Sequence, residues 1–119
     1  MTLTKLGNYH LYFTARDVNE SAHLHANSPK PVKVGAAKIW IRSDGTAEIA
    51  KKGNISNKDL KMICTHITEN YLFYLHEWEK YFNSLQIHGE PNKEFTITVD
   101  KGTGELKLKE LETSNVFKK

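Results

Sequence analysis

The sequence predicts an α+β fold: a mostly antiparallel sheet of about five strands packs on one long amphipathic helix, followed by a C-terminal β-hairpin. Three patterns lead to this prediction. Polar and apolar residues alternate in short segments before residue 52. Apolar residues then recur every three or four positions over about residues 56–85. Alternation returns over about residues 94–111, on both sides of a glycine-containing turn.

The helix has a clear start signal. Ser56 is a suitable N-cap, Asp59 stands at the capping-box position, and Ile55 and Leu60 stand at the positions of a hydrophobic staple. No glycine or proline follows until Gly89, so we expect one unbroken helix of roughly 40 Å. Its predicted apolar face comprises Leu60, Ile63, Cys64, Ile67, Tyr71, Tyr74, Leu75, Trp78, Tyr81, Phe82 and Leu85.

The strands are predicted from alternation and from turn residues. Residues 8–16 and 32–42 each alternate, and residues 46–51 return antiparallel after the Ser43-Asp44-Gly45 turn. Residues 17–21 are expected to form a polar turn, and the prolines of residues 27–31 predict a loop. After the helix, residues 95–99 and 106–108 alternate around a second turn.

The bulk composition indicates one folded domain, residues 1–119, with 39% hydrophobic and 26% charged residues. The net charge of +3 is spread along the chain, so it supports nucleic-acid binding only weakly. No apolar run of about 18 residues occurs, and the N-terminus lacks the apolar segment of a signal peptide. We therefore expect a cytoplasmic protein without membrane contact.

His23 and His25 are the clearest candidates for a site. They are two residues apart, so their side chains project from the same face if this segment is a strand. Two adjacent imidazoles can chelate a transition metal such as zinc, and Asp17 or His10 can add a third ligand. Such a site leaves one coordination position for water. The alternative is that both histidines are half-exposed residues bonded to nearby turn backbone.

A metal-free alternative uses the same histidines for hydrolysis. His23 or His25 would act as general base, and Arg16 or Lys33 would stabilise a phosphate, as in small toxin-type ribonucleases. The residue types for this chemistry are present, but sequence does not fix their geometry.

The helix also offers a candidate interaction surface. Met62, His66 and Phe73 fall on the side opposite the apolar face. This surface suits a protein partner or a second copy of the chain. The alternative is that the C-terminal hairpin covers it.

Several of these residues also resemble a known family. The resemblance is carried by Gly7, Tyr12-Phe13, Arg16-Asp17, His23-Leu24-His25, the Asp44-Gly45 hairpin and His76-Glu77-Trp78-Glu79. In order and spacing the chain is similar to the uncharacterised bacterial family DUF4160 over about residues 5–83, with the C-terminal hairpin outside. The family usually has a histidine directly after the aspartate and a proline pair before His-x-His. Here those positions hold Val18 and Ser21-Ala22, with one residue inserted.

The resemblance implies a small bacterial cytoplasmic protein of the kind found near toxin–antitoxin genes, and it implies no reaction. Our first interpretation is a non-enzymatic protein-interaction or regulatory module, acting through Met62, His66 and Phe73 or through a strand edge. The second is a metal-binding or hydrolytic, nuclease-like protein that uses His23, His25 and Asp17. Apart from a transition metal such as zinc, no cofactor is implied.

Overall fold

A computed structural model gives the structure of the protein and describes residues 2–27, 36–90 and 95–110. In chain order its elements are β1 (Thr2–Leu6), β2 (Tyr9–Tyr12), a short 3₁₀ helix (Ala15–Asn19), β3 (His23–Asn27), β4 (Ala37–Ile41), β5 (Ala47–Lys51), α1 (Asn57–Glu69), α2 (Tyr71–Phe82), β6 (Phe95–Val99) and β7 (Leu106–Glu110). The predicted α+β class, with a C-terminal hairpin, is confirmed.

The main sheet has the strand order β1-β2-β3-β4-β5, and each strand is antiparallel to the next. The register pairs Leu24 with Ile39 and, one residue earlier on β3, His23 with Trp40. Because side chains alternate between faces, these two pairs lie on opposite faces of the sheet. The helix-side face is buried in one hydrophobic cluster that also includes residues of α1 and α2. It carries Leu11, Leu24, Ala26, Ala37, Ile39 and Ile41. The outer face carries Tyr12, His23, His25, Lys38 and Trp40.

The first strand region differs from the prediction. Residues 8–16 contain β2 only as far as Tyr12, and the predicted polar turn is a 3₁₀ helix, Ala15–Asn19. The N-terminal residues form an additional strand, β1, which pairs with β2 through a turn at Gly7. Residues 28–35, which include most of the predicted proline loop and the start of the predicted second strand, lie outside the described residues.

The predicted start of the helix is confirmed. The Ser56 hydroxyl accepts a hydrogen bond from the Asp59 amide at 3.2 Å, and Ile55 and Leu60 are both buried. The Asp59 carboxylate is turned to another partner, because its Oδ2 accepts the hydroxyl of Tyr9 on β2 at 2.6 Å. This bond ties the first turn of α1 to the sheet.

The prediction of one long helix over about residues 56–85 is wrong: two helices, α1 and α2, meet at Asn70. Asn70 leaves the helical conformation, with φ −128° and ψ 22°, and its side-chain amide donates to the His66 carbonyl at 2.9 Å. Short polar side chains that bond nearby backbone compete with the helix in this way. Within the described ranges, neither helix is long and apolar enough to cross a membrane.

A directed chain of hydrogen bonds fixes the junction between the two helices. The Tyr74 hydroxyl donates to Thr4 Oγ1 at 2.8 Å, and it accepts a bond from His66 Nε2–H at 2.7 Å. Because Tyr74 is buried and Thr4 lies on β1, the chain connects α1, α2 and the edge of the sheet. Burial raises the pKa of Tyr74 and keeps its hydroxyl protonated as a donor.

The C-terminal hairpin is a separate two-stranded sheet, β6 and β7. Phe95 is buried, and Ile97 and its cross-strand partner Leu108 pack against the core. The same apolar face becomes exposed toward the turn, where Val99 is 54% exposed. The hairpin therefore adds to the core only at its base.

The Asp44-Gly45 turn packs closely against Tyr71, the first residue of α2. Gly45 has φ +91°, and a Cβ added there would lie 2.9 Å from Tyr71 Cδ1. We expect Gly45→Ala to lower the free energy of unfolding by about 2–4 kcal/mol, from left-handed backbone strain and overpacking together. Chemical denaturation measures this loss.

Gly7→Ala is the matched control. Gly7 has φ +58° and nothing within 4 Å of an added Cβ, so only the backbone cost of about 1–2 kcal/mol applies. Equal losses for the two variants would contradict close packing of Tyr71 on the turn.

Candidate metal site

The structure brings Asp17, His23 and His25 together on the outer face of the sheet. His23 Nε2 lies 3.3 Å from His25 Nε2 and 3.3 Å from Asp17 Oδ1. His25 Nε2 lies 3.2 Å from Asp17 Oδ1 and 3.1 Å from Oδ2. Among the described residues, these three form the group of His, Cys, Asp or Glu side chains whose ligand atoms lie close enough together to hold a metal ion.

Local structure positions each of the three side chains. His23 and His25 share a face of β3 because the strand has a two-residue period. Asp17 comes from the 3₁₀ helix after β2, which returns over this face. The Thr14 amide donates to Asp17 Oδ2 at 2.8 Å and so orients the carboxylate.

Hydrogen bonding fixes the tautomer of His23. Its Nδ1 lies 2.8 Å from the Ser21 carbonyl oxygen, which can only accept, so Nδ1 carries the proton. In the neutral ring Nε2 is then unprotonated, and its lone pair is directed at Asp17 and His25. Metal-binding histidines are oriented in this way, with the second nitrogen bonded to a carbonyl or carboxylate.

Burial keeps His23 neutral. Its side chain is 0% exposed, and this burial lowers the pKa of His23, although the Ser21 carbonyl and the Asp17 charge both act in the opposite direction. Burial by itself raises the pKa of Asp17. The bonds from the Thr14 amide and His25, with the nearby imidazoles, outweigh it, so the net pKa of Asp17 is lowered. Near neutral pH the cluster therefore holds a carboxylate and an unprotonated His23 Nε2.

The cluster contains more acceptors than donors. The His23 Nε2 lone pair and the Asp17 carboxylate lie within 3.3 Å of each other, and neither has a proton to donate. One proton on His25 Nε2 can serve only one of them well. A cation between the three atoms would satisfy all of them at once.

Aromatic side chains surround His23, the first residue of β3, and one of them, Trp78, comes from α2. The His23 ring lies 5.3 Å from Trp40 and 5.1 Å from Trp78, centroid to centroid. Tyr12 stacks on His25 at 5.4 Å. His25 itself is 20% exposed, so the cluster is closed on the side of His23 and reaches solvent on the side of His25.

Sequence reasoning found the three members of the cluster but missed the residues that shape it. Ser21, Thr14 and Trp40 act through backbone groups or through cross-strand pairing. The one sequence signal for Trp40 was the two-residue period of the strands. It puts Trp40 on the same face as His23 once β3 and β4 are paired. Trp78 was predicted to lie on the apolar face of the helix and also carries the family resemblance, but neither observation linked it to His23.

The other candidates for this chemistry lie elsewhere. His10 pairs with Asn27 across β2 and β3 and is not a member of the cluster. Arg16 is exposed on the 3₁₀ helix, and Lys33 lies outside the described residues. Val18, at the position where the family usually has histidine, is 48% exposed, and the cluster assembles without it.

The candidate interaction residues are distributed over two helices. Met62 on α1 and Phe73 on α2 are 43% and 41% exposed. His66 is half-buried and bonds to Tyr74. A groove of about 450 Å³ runs between β1 and α1, with Leu6, Met62 and His66 in its lining and Lys58 and Lys61 beside them; Phe73 does not line it.

Comparison with known proteins gives one result. A family model described as a domain of unknown function (DUF4160) matches residues 8–79, which include Asp17, His23 and His25. No curated protein matches the chain, and no solved structure matches it. The match covers more than half of the 119 residues, and the C-terminal hairpin lies outside it. The predicted resemblance is confirmed, and the chain belongs to the DUF4160 family.

Proposed function

We propose that this protein binds a divalent transition metal, such as zinc, through Asp17, His23 and His25. The observation that carries the proposal is the triangle of three ligand atoms, two imidazole nitrogens and one carboxylate oxygen, with sides of 3.2–3.3 Å.

The size of the triangle suits a tetrahedral ion. Ligands about 2.0–2.1 Å from a tetrahedral centre lie about 3.3 Å from one another. The three atoms therefore have the spacing of one tetrahedral face, and little movement is needed for an ion to bind. Two histidines and one carboxylate are also a donor set used for zinc and for non-haem iron.

Support also comes from the state of the ligands. A metal requires a neutral imidazole and an ionised carboxylate, and the directions of the pKa shifts of His23 and Asp17 favour these forms. The Ser21 carbonyl and the Thr14 amide hold the two groups in orientation. Pre-oriented ligands reduce the cost of ordering the site on binding.

Three protein ligands leave the fourth tetrahedral position available. A metal bound with an open position supplies Lewis-acid chemistry and lowers the pKa of bound water. A hydrolytic role would use this position, as in the second interpretation of the sequence. The chain's own contribution is to hold the ligands and to exclude water on the Trp78 side.

Metal content and affinity test the proposal. We expect the metal-free protein to bind one equivalent of zinc, with a rise in the melting temperature, because an ion that binds only the folded state stabilises it. Asp17→Asn keeps the size of the side chain, and His25→Ala removes a partly exposed ligand. Each should weaken zinc binding by about 100-fold or more, since even outer-shell changes cost 10–100-fold. Calorimetric titration measures the affinity.

His76→Gln is the control, because it removes one imidazole that lies outside the cluster. Its zinc affinity should equal that of the wild type. The proposal is contradicted if the wild type binds no stoichiometric metal, or if all three variants bind zinc equally.

The pH dependence of the metal-free protein follows from His23. Its lowered pKa means that the unfolded chain takes up a proton before the folded one, so stability is complete above about pH 6.5 and falls below it. A further fall begins below about pH 4, as Asp17 is protonated in the unfolded chain. The His23 contribution cannot exceed about 1.4 kcal/mol per pH unit.

Urea unfolding of the metal-free protein between pH 7 and pH 5 measures this slope. His23→Phe is the comparison, since an aromatic ring can pack between Trp40 and Trp78 without titrating. A wild-type slope no steeper than that of His23→Phe would show that His23 does not fold in its neutral form.

A second candidate function is protein interaction, and the exposure of Met62 and Phe73 favours it. Exposed apolar residues of this size are common at contact surfaces. A regulatory role in a toxin–antitoxin-like pair rests on the sequence resemblance alone.

Sedimentation over a concentration series tests the simplest form of this candidate, a homodimer. We expect a dimer that the double variant Met62→Lys/Phe73→Lys converts to a monomer without loss of thermal stability, because two charges would be placed in an apolar contact. Val99→Lys, at a 54% exposed position on the hairpin, should leave the dimer intact. A monomeric wild type at all concentrations rules out the homodimer.

A further inference from the structure

Lys38 lies beside the candidate metal site without being a member of it. It pairs with His25 across β3 and β4, so both side chains leave the same face of the sheet. Its Nζ lies 4.5 Å from the centroid of the Trp40 ring, which in turn lies 5.3 Å from His23. Lys38 is therefore a cross-strand neighbour of the cluster on the outer face of the sheet.

An exposed carboxylate holds Lys38 in place. Its Nζ forms an ion pair with Glu20, whose side chain is 40% exposed. Glu20 directly follows the 3₁₀ helix that contains Asp17. Residues 17–20 thus place two carboxylates on the outer face. Asp17 contacts His23 and His25, and Glu20 pairs with Lys38. The pair is part-buried, with the Lys38 side chain 26% and the Glu20 side chain 40% exposed. Water reaches the carboxylate, and a surface pair stabilises by only about 0–1 kcal/mol, so a competing anion can displace Glu20.

The charge of the loaded site would be positive. A divalent ion with one carboxylate and two neutral imidazoles keeps a single net positive charge. Lys38 adds another, which Glu20 cancels as long as the two are paired. The exposed side of the cluster is the side of His25, where Lys38 is the cross-strand neighbour. An anion that approaches the open metal position from solvent therefore enters on the side where Lys38 supplies a positive charge.

We propose that the site accepts a small oxyanion, with one oxygen at the open metal position and a second oxygen bonded to Lys38 in place of Glu20. This inference rests on the proposed metal function and names the ligand class of that site. A phosphate group and a carboxylate share the required chemistry, which is two oxygens on one centre. Charge-assisted bonds of this kind are among the stronger hydrogen bonds in proteins.

The experiment uses the cobalt(II)-loaded full chain, because the visible spectrum of cobalt reports changes in its coordination. Inorganic phosphate and acetate are titrated separately into the wild type, Lys38→Met and Glu20→Gln. We expect saturable spectral change in the wild type, about tenfold weaker anion binding in Lys38→Met and several-fold tighter binding in Glu20→Gln. Tighter binding of one probe identifies phosphate or carboxylate as the preferred ligand.

Lys80→Met is the matched control. Lys80 also pairs with a glutamate, Glu77, but on α2 and with a side chain that is 69% exposed. The Lys80→Met substitution removes the same charge at a position that is not part of the outer face, so its anion affinity should equal that of the wild type. Lys38→Arg should restore most of the affinity, since it keeps a cation at the position.

The outcomes separate the two proposals. A wild type that binds no cobalt overturns the metal function itself. If cobalt binds and neither anion changes its spectrum, only the oxyanion inference fails. It also fails if Lys38→Met and Lys80→Met weaken binding equally. Cobalt affinity is measured in every variant, and Glu20→Gln, altered at an exposed carboxylate, tests the inference even if Lys38→Met proves unstable.

Discussion

The two-residue period of β3 is the constraint on which both the core and the candidate site depend. Leu24 and Ala26 enter the core against Ile39 and Ala37, and His23 and His25 necessarily take the other face. A shift of one residue in register would place both imidazoles in the core and both apolar side chains on the outer face. Burial of the helix-side face therefore fixes the position of the histidines as firmly as it fixes the core.

The cluster concentrates buried polar groups at one point of the sheet. Asp17 and His23 are the two buried polar or charged residues of the described ranges, and they contact each other. A buried ionised carboxylate is costly unless it is paired, and here the Thr14 amide and His25 bond to it. Groups with perturbed pKa values that lie together in this way are typical of functional sites.

The break at Asn70 shapes the other side of the molecule. A straight helix would align Met62, His66 and Phe73, but two helices carry them and direct His66 toward Tyr74. Met62 lines the groove beside β1, whereas Phe73 does not. The hydrogen-bond chain from His66 through Tyr74 to Thr4 connects the break to the edge of the sheet.

The sequence by itself determined the α+β class, the hairpin at Asp44-Gly45, the start of α1 at Ser56 and the two-residue spacing that puts His23 and His25 on one face once the segment is a strand. These follow from periodicity, turn residues and caps, which act over a few neighbouring residues. Only the tertiary structure decided the break at Asn70, the return of Asp17 over β3, the enclosure of His23 by Trp40 and Trp78, and the placement of Lys38 beside the cluster. They depend on strand register and on contacts between distant residues, which local patterns do not contain.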